Sequence, residues 1–182
     1  MPRGRKKRKE NPVSLPSPVR IADALLYAEH DIRRTVNEEQ QALFSIGGSN
    51  PDGSGRGSGL CYSDRTGAAA VKLADGLPYI TLSNGLTIKH PEAWLSVFEA
   101  VREKARQCQR PQMIFDAWAA EYEGKILFVD SETANPQTWR NIKRWIRYQV
   151  LTEARAAGLV DFDEEEIMES IDKAGLEWIC EH

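Results

Sequence analysis

The sequence is short of the residues that most enzyme chemistry needs. Three cysteines, Cys61, Cys108 and Cys180, stand far apart among 182 residues. Their spacing and odd number exclude a disulfide framework and a CxxC-type metal site. Histidine is as scarce, with only His30, His90 and His182, so metalloenzymes and Cys/His nucleophilic enzymes drop out. No apolar run approaches the ~18 to 20 residues of a membrane-spanning helix. The basic N-terminus lacks the apolar stretch that follows it in a secretory signal. No cofactor, metal, membrane partner or catalytic activity is expected, and the expected location is the cytoplasm. What is present, 41% hydrophobic and 28% charged residues, describes a globular chain able to bury a sizeable core.

The net charge of −3 conceals an uneven distribution. Seven Lys/Arg face Glu10 alone in residues 1–20, whereas nine acids face Lys173 alone in residues 161–182. Residues 135–160 hold five Lys/Arg against one acid. A basic arm and an acidic end on a nearly neutral body, with a basic segment inside that body, point toward nucleic acid.

Residues 1–17 combine three prolines with a charge block and no periodicity, and are expected to be disordered. Ser17-Pro18 reads as an N-cap followed by a proline at the first helical position. An amphipathic helix then follows over 19–44, with Ile21, Leu25, Ala28, Ile32, Val36 and Leu43 at helical spacing. Six glycines make 46–59 a loop, and 65–74 reads as a short helix. Ser83-Asn84-Gly85 between Tyr79-Ile80-Thr81-Leu82 and Leu86-Thr87-Ile88 predicts a β-hairpin over 79–88. Helices follow from Pro91 to Cys108, with Trp94, Val97, Phe98, Val101 and Ala105 on one stripe, and from Pro111 to Tyr122, with Ile114, Phe115 and Trp118 inward. Gly124 breaks the chain before a short apolar piece at 125–130. Asn135-Pro136 caps a last long helix that ends before Gly158. The expected organisation is a disordered basic arm (1–17), a helical N-terminal region (18–108), a helix-turn-helix region (109–160) and an acidic tail or helix (161–182). The fold class is therefore mainly α, with a short hairpin and a C-terminal helix-turn-helix.

Steps of 100° along 136–157 put Trp139, Ile142, Ile146, Val150 and Ala157 on one stripe. Gln137, Arg140, Asn141, Arg144, Arg147 and Tyr148 fall opposite, with no carboxylate among them. Arginine forks pair with guanine edges or phosphates, amides with adenine edges, and tyrosine with phosphate. The expected DNA-contacting residues are these six together with Thr138 and the flanking Lys143. Arg3, Arg5, Lys6, Lys7, Arg8 and Lys9 form a non-specific DNA arm. The plainer readings are a solvated helix face and a solubilising tail.

The stretch Arg144-Trp145-Ile-Arg-Tyr-Gln-Val-Leu-Thr-Glu-Ala-Arg-Ala-Ala-Gly158-Leu159-Val160 resembles the end of the phage-encoded RinA/ArpU-type late transcriptional activators. Asp64-Arg65-Thr66-Gly67 with Ala69, and Leu86 followed by Pro91-Glu92-Ala93-Trp94-Leu95, fall in matching order, so the resemblance spans residues 20–160. It implies a DNA-binding activator with a domain similar to region 4 of sigma factors. The expected partners are double-stranded DNA, bacterial RNA polymerase and further copies of the chain, in the cytoplasm of a bacterial host. Thr138 stands seven residues before Trp145, which makes the recognition helix about a turn longer than the family's pattern. The basic arm and the acidic end lie outside that pattern.

Other readings rank lower. The glycine-rich stretch lacks the Gly-Lys-Ser/Thr ending of a phosphate loop. The acids Asp161, Asp163, Glu164, Glu165 and Glu166 lack the spacing of a calcium loop. Asp116, Glu121 and Glu123 are scattered by helical spacing rather than gathered as a catalytic cluster. Trp94, Trp118 and Trp139 are assigned to the core, with Trp145 beside the stripe. The acidic end either repels DNA or forms an amphipathic helix that buries Ile167, Ile171 and Trp178. Two rival functions remain, a small terminase-type packaging subunit that forms a ring and a protein-only adaptor.

Overall fold

The computed structural model describes residues 17–46, 76–124 and 135–171. The basic arm with Arg3, Arg5, Lys6, Lys7, Arg8 and Lys9, most of the glycine-rich loop, the short helix at 65–74, the piece at 125–130 and Trp178 lie outside the described residues. The described chain is mainly helical with one short antiparallel hairpin.

The first helix, α1, runs over Pro18–Ile46. It starts where proline costs nothing, since the first backbone N–H groups of a helix have no partner within it. Ser17 accepts from the backbone N–H groups of Arg20 and Ile21 at 2.9 and 3.3 Å. Ala22, Leu25, Leu26, Ala28, Ile32 and Val36 turn one stripe into the core.

Strands β1 (Tyr79–Thr81) and β2 (Thr87–Lys89) pair in antiparallel register, Ile80 opposite Ile88. Ile80, Leu82 and Ile88 are buried while their neighbours face out, the alternation expected of a two-faced strand. The Asn-Gly signal sits at the turn. Leu82 donates to Leu86 O at 2.9 Å, Asn84 Oδ1 accepts from Leu86 N at 2.9 Å, and Gly85 takes φ +82°. A side chain would be strained at that φ, which is why glycine closes this three-residue loop.

Helices α2 (Pro91–Gln107) and α3 (Pro111–Tyr122) follow, separated by a short turn at 108–110. The long basic helix, α4, covers Pro136–Ala156. Its start is capped by Asn135 Oδ1, which accepts from Gln137 N at 2.9 Å. Its end is a Schellman motif: Gly158 at φ +69° donates to Arg155 O, and Leu159 N donates to Ala154 O at 2.9 Å. A last helix, α5 (Glu164–Ile171), opens with a reciprocal capping box. Glu166 N donates to Asp163 Oδ1 at 2.8 Å, and Asp163 N donates to Glu166 Oε2 at 3.0 Å.

One core joins α1, the hairpin, α2, α3 and α4. The stretches 18–108 and 109–160, read separately from the sequence, share it. A smaller cluster of Ala22, Leu151, Ile167 and Ile171 seals α5 onto α1 and α4. The acidic segment over 164–171 is therefore a packed helix with a solvated acidic side. The one buried charge among the described residues is Glu29, 5% exposed. Arg102 grips it with two bonds of 2.6 and 2.9 Å, Arg33 adds one of 3.0 Å, and Trp118 Nε1 donates at 3.2 Å.

Candidate functional site

Helix α4 carries every body residue assigned to DNA, and its place in the fold decides which of them reach solvent. It packs against α1, α2, α3 and α5 at once. Ile142, Trp145, Ile146, Val150, Leu151 and Ala154 are all buried, an arc far wider than a surface helix shows. Trp145, 2% exposed, lies deeper than Trp139, which is half-buried against the core. Ala157, placed on the inward stripe by the 100° steps, is exposed at the helix end.

Leu151 projects between Arg140 and Arg144 when α4 is viewed end-on at 100° per residue. Its burial against Ala22, Ile167 and Ile171 means that α1 and α5 cover this face over the C-terminal half of the helix. The acid-free face is thus open only over its first two turns. There, Gln137 and Arg140 are exposed, and Asn141 and Arg144 are half-buried. Gln137 Nε2 donates to Asn141 Oδ1 at 3.1 Å, and Arg144 Nη1 to the same oxygen at 3.5 Å. Among the described residues Arg140 pairs with no carboxylate.

The other four assigned residues sit differently. Arg147 binds Asp23 on α1 with both fork positions, Nε to Oδ1 at 2.7 Å and Nη2 to Oδ2 at 2.8 Å. Lys143 Nζ lies 2.6 Å from Glu121 Oε1 on α3. Tyr148 packs against the cluster of Ala22, Leu151, Ile167 and Ile171, and Thr138 is half-buried. Absence of acid from the α4 face therefore does not extend to its surroundings, because neighbouring helices supply two carboxylates.

Those carboxylates anchor a polar network that the sequence reading missed. Tyr27 OH donates to Glu121 Oε1 at 2.7 Å, Trp139 Nε1 reaches Glu121 Oε2 at 3.5 Å, and Tyr122 OH reaches Asp23 Oδ1 at 3.4 Å. Burial pushes the Glu121 carboxyl up, but the bonds from Lys143 and Tyr27 outweigh it and hold the group below its usual range. The bond to Glu121, then burial, pushes the Tyr27 phenol up to about 12. Burial likewise raises Tyr122. Burial opposes the charge on Arg147, yet Asp23 and Tyr122 keep it more firmly protonated than usual. The only sequence signal for this network was the helical spacing of Asp23 with Tyr27, one turn apart on α1.

The helix-turn-helix reading needs a tight turn of about 3 to 4 residues between its two helices. Residues 123–135 separate α3 from α4, whereas residues 108–110 separate α2 from α3. Among the described residues the short break is the one that precedes α3, and residues 125–134, which lead into the basic helix, lie outside the described residues. Asp116, Glu121 and Glu123 go to separate partners: Gln112, Lys143 and Arg102. Among the described residues no group of His, Cys, Asp and Glu is placed to hold a metal. No described helix is long and apolar enough to cross a membrane. No family model, curated protein or solved structure matches the chain.

Proposed function

We propose that this chain is a duplex-DNA-binding transcriptional regulator of phage or prophage type, and that it reads DNA with the first two turns of α4. The observation that carries the reading is the cluster of Gln137, Arg140, Asn141 and Arg144 at the start of α4, with Gln137 and Arg140 exposed and no acid of the helix among the four. Recognition helices in the major groove make their base contacts from N-terminal residues. Two amides and two guanidinium forks are the inventory that adenine and guanine edges call for. The cap bond from Gln137 N to Asn135 holds the start of the helix rigid beneath them. In this reading Lys143, Arg147 and Tyr148 support the helix, and the basic arm adds sequence-independent affinity. Action on host RNA polymerase follows from the resemblance to RinA/ArpU-type activators.

Footprinting of the full chain on promoter fragments, repeated with Arg140→Ala, tests this. The expected result is a protected site that the variant loses, at a cost of ~1 to 3 kcal/mol and with relaxed preference at one base pair. Equal binding of wild type and Arg140→Ala to every sequence overturns it. A large closed ring in solution supports packaging instead.

A further inference from the structure

We propose that Asp23 and Glu121 stand in for DNA phosphates on Arg147 and Lys143 and so hold down the affinity of α4 for duplex DNA. The proposal rests on the reading that α4 meets DNA.

Four cations, Arg140, Lys143, Arg144 and Arg147, occupy two turns of α4 without an acid between them. Carboxylates from outside the helix neutralise Lys143 and Arg147. Asp23 holds Arg147 in the side-on, two-bond geometry that a phosphate would adopt, at 2.7 and 2.8 Å. Glu121 takes Lys143 at 2.6 Å. Both pairs stay in touch with solvent, the Arg147 and Lys143 side chains being 19% and 21% exposed. They lie along the border of the open face, three and seven residues beyond Arg140.

Each cation held by a carboxylate is one that does not displace a counterion from DNA, and each phosphate neutralised contributes about 0.9 to the salt slope. The two carboxylates therefore lower bulk affinity without touching the residues that read bases. α1 and α3, which have no part in base reading, set how tightly α4 holds DNA.

The test compares wild type, Asp23→Asn and Glu121→Gln on a mixed-sequence duplex at several salt concentrations, with melting curves alongside. The amides keep one acceptor oxygen for each cation and remove the charge, at the loss of one accepted bond, which the melting curves register. Both variants should bind roughly three- to tenfold tighter at low salt, with a slope steeper by up to about 0.9. Adding Arg147→Gln to Asp23→Asn should return affinity to the wild-type level. If Asp23→Asn does not fold, Glu121→Gln carries the comparison.

Wild-type binding that Arg140→Ala weakens, with no gain in either amide variant, overturns the proposal and leaves the DNA reading standing. The ion pairs then serve only to fasten α1 and α3 to α4. No binding by wild type or by any variant overturns both.

Discussion

Arg102 places its guanidinium over the Trp118 ring, 4.7 Å from the centroid, while both its Nη atoms bind Glu29. The indole Nε1 of the same tryptophan donates to the same carboxylate. One buried acid thereby ties α1 to α2 and α3, and every lone pair it turns inward has a donor.

That arrangement sets the first expectation. Glu29→Ala leaves Arg102, 16% exposed in its side chain, beside an empty acceptor. Breaking a buried pair from one side costs about 3 to 5 kcal/mol when the remaining charge has no other partner; Glu99 and Glu123, at 3.5 and 3.8 Å from Arg102, place this loss below that range. Glu29→Leu combined with Arg102→Met should recover most of that loss, because the desolvation of both charges disappears together. Urea titrations with an unchanged slope would check both values.

The tryptophans of α4 should rank in the order of their burial. Trp145→Ala empties a site that is 2% exposed and should cost about 3 to 5 kcal/mol. Trp139→Ala, half-buried, should cost less. Trp145→Phe is the informative variant, since the Trp145 Nε1 is buried without a hydrogen-bond partner. Removing an unsatisfied donor offsets part of the lost ring volume, so the melting temperature should fall far less than for alanine.

The acidic end should behave as structure. Asp163→Ala removes the cap of α5 and should cost about 0.5 to 2 kcal/mol. Deleting residues 161–182 uncovers Ala22 and Leu151 and should lower the melting temperature outright. An unchanged melting temperature with stronger DNA binding would mark a solvated, repelling tail instead.

Acid should weaken the fold through Glu121. Its folded pKa lies below the ordinary value of 4.5, so it contributes stability above that value, and the contribution disappears as pH falls through the depressed folded value. Glu121→Gln should flatten the acid limb of the stability curve. At the alkaline end the Tyr27 phenol, raised to about 12, adds stability below its ordinary pKa of 10 that is lost as pH climbs toward 12. Phenolate absorbance compared between wild type and Tyr27→Phe would show the late-titrating group.

Local patterns in the sequence sufficed for the elements themselves. Apolar residues every three to four positions marked α1, α2, α3 and α4, since a helix buries the stripe that its period aligns. Proline at the start of each, Asn84-Gly85 at the hairpin and Gly158 after α4 marked their ends, because backbone constraints act within a few residues. Asp163 and Glu166 carried a capping-box spacing as well, though the density of acid around them reads first as a solvated run. Residues 1–20 and 161–182 disclosed their opposite charges in the same local way.

What α4 does with its polar face was decided by tertiary structure alone. A helical wheel sorts residues by angle but does not say how many neighbours the helix will have. Leu151 stood on the presumed DNA face as a lone apolar residue, and only the arrival of α1 and α5 made it core. Arg147 and Lys143 read as DNA ligands because the polar face of their own helix holds no acid. Asp23, 124 residues away, and Glu121, 22 residues away, came to them through packing. Charge within one helix is a property of the sequence, whereas the charge that a cation meets depends on which distant carboxylates the core brings beside it.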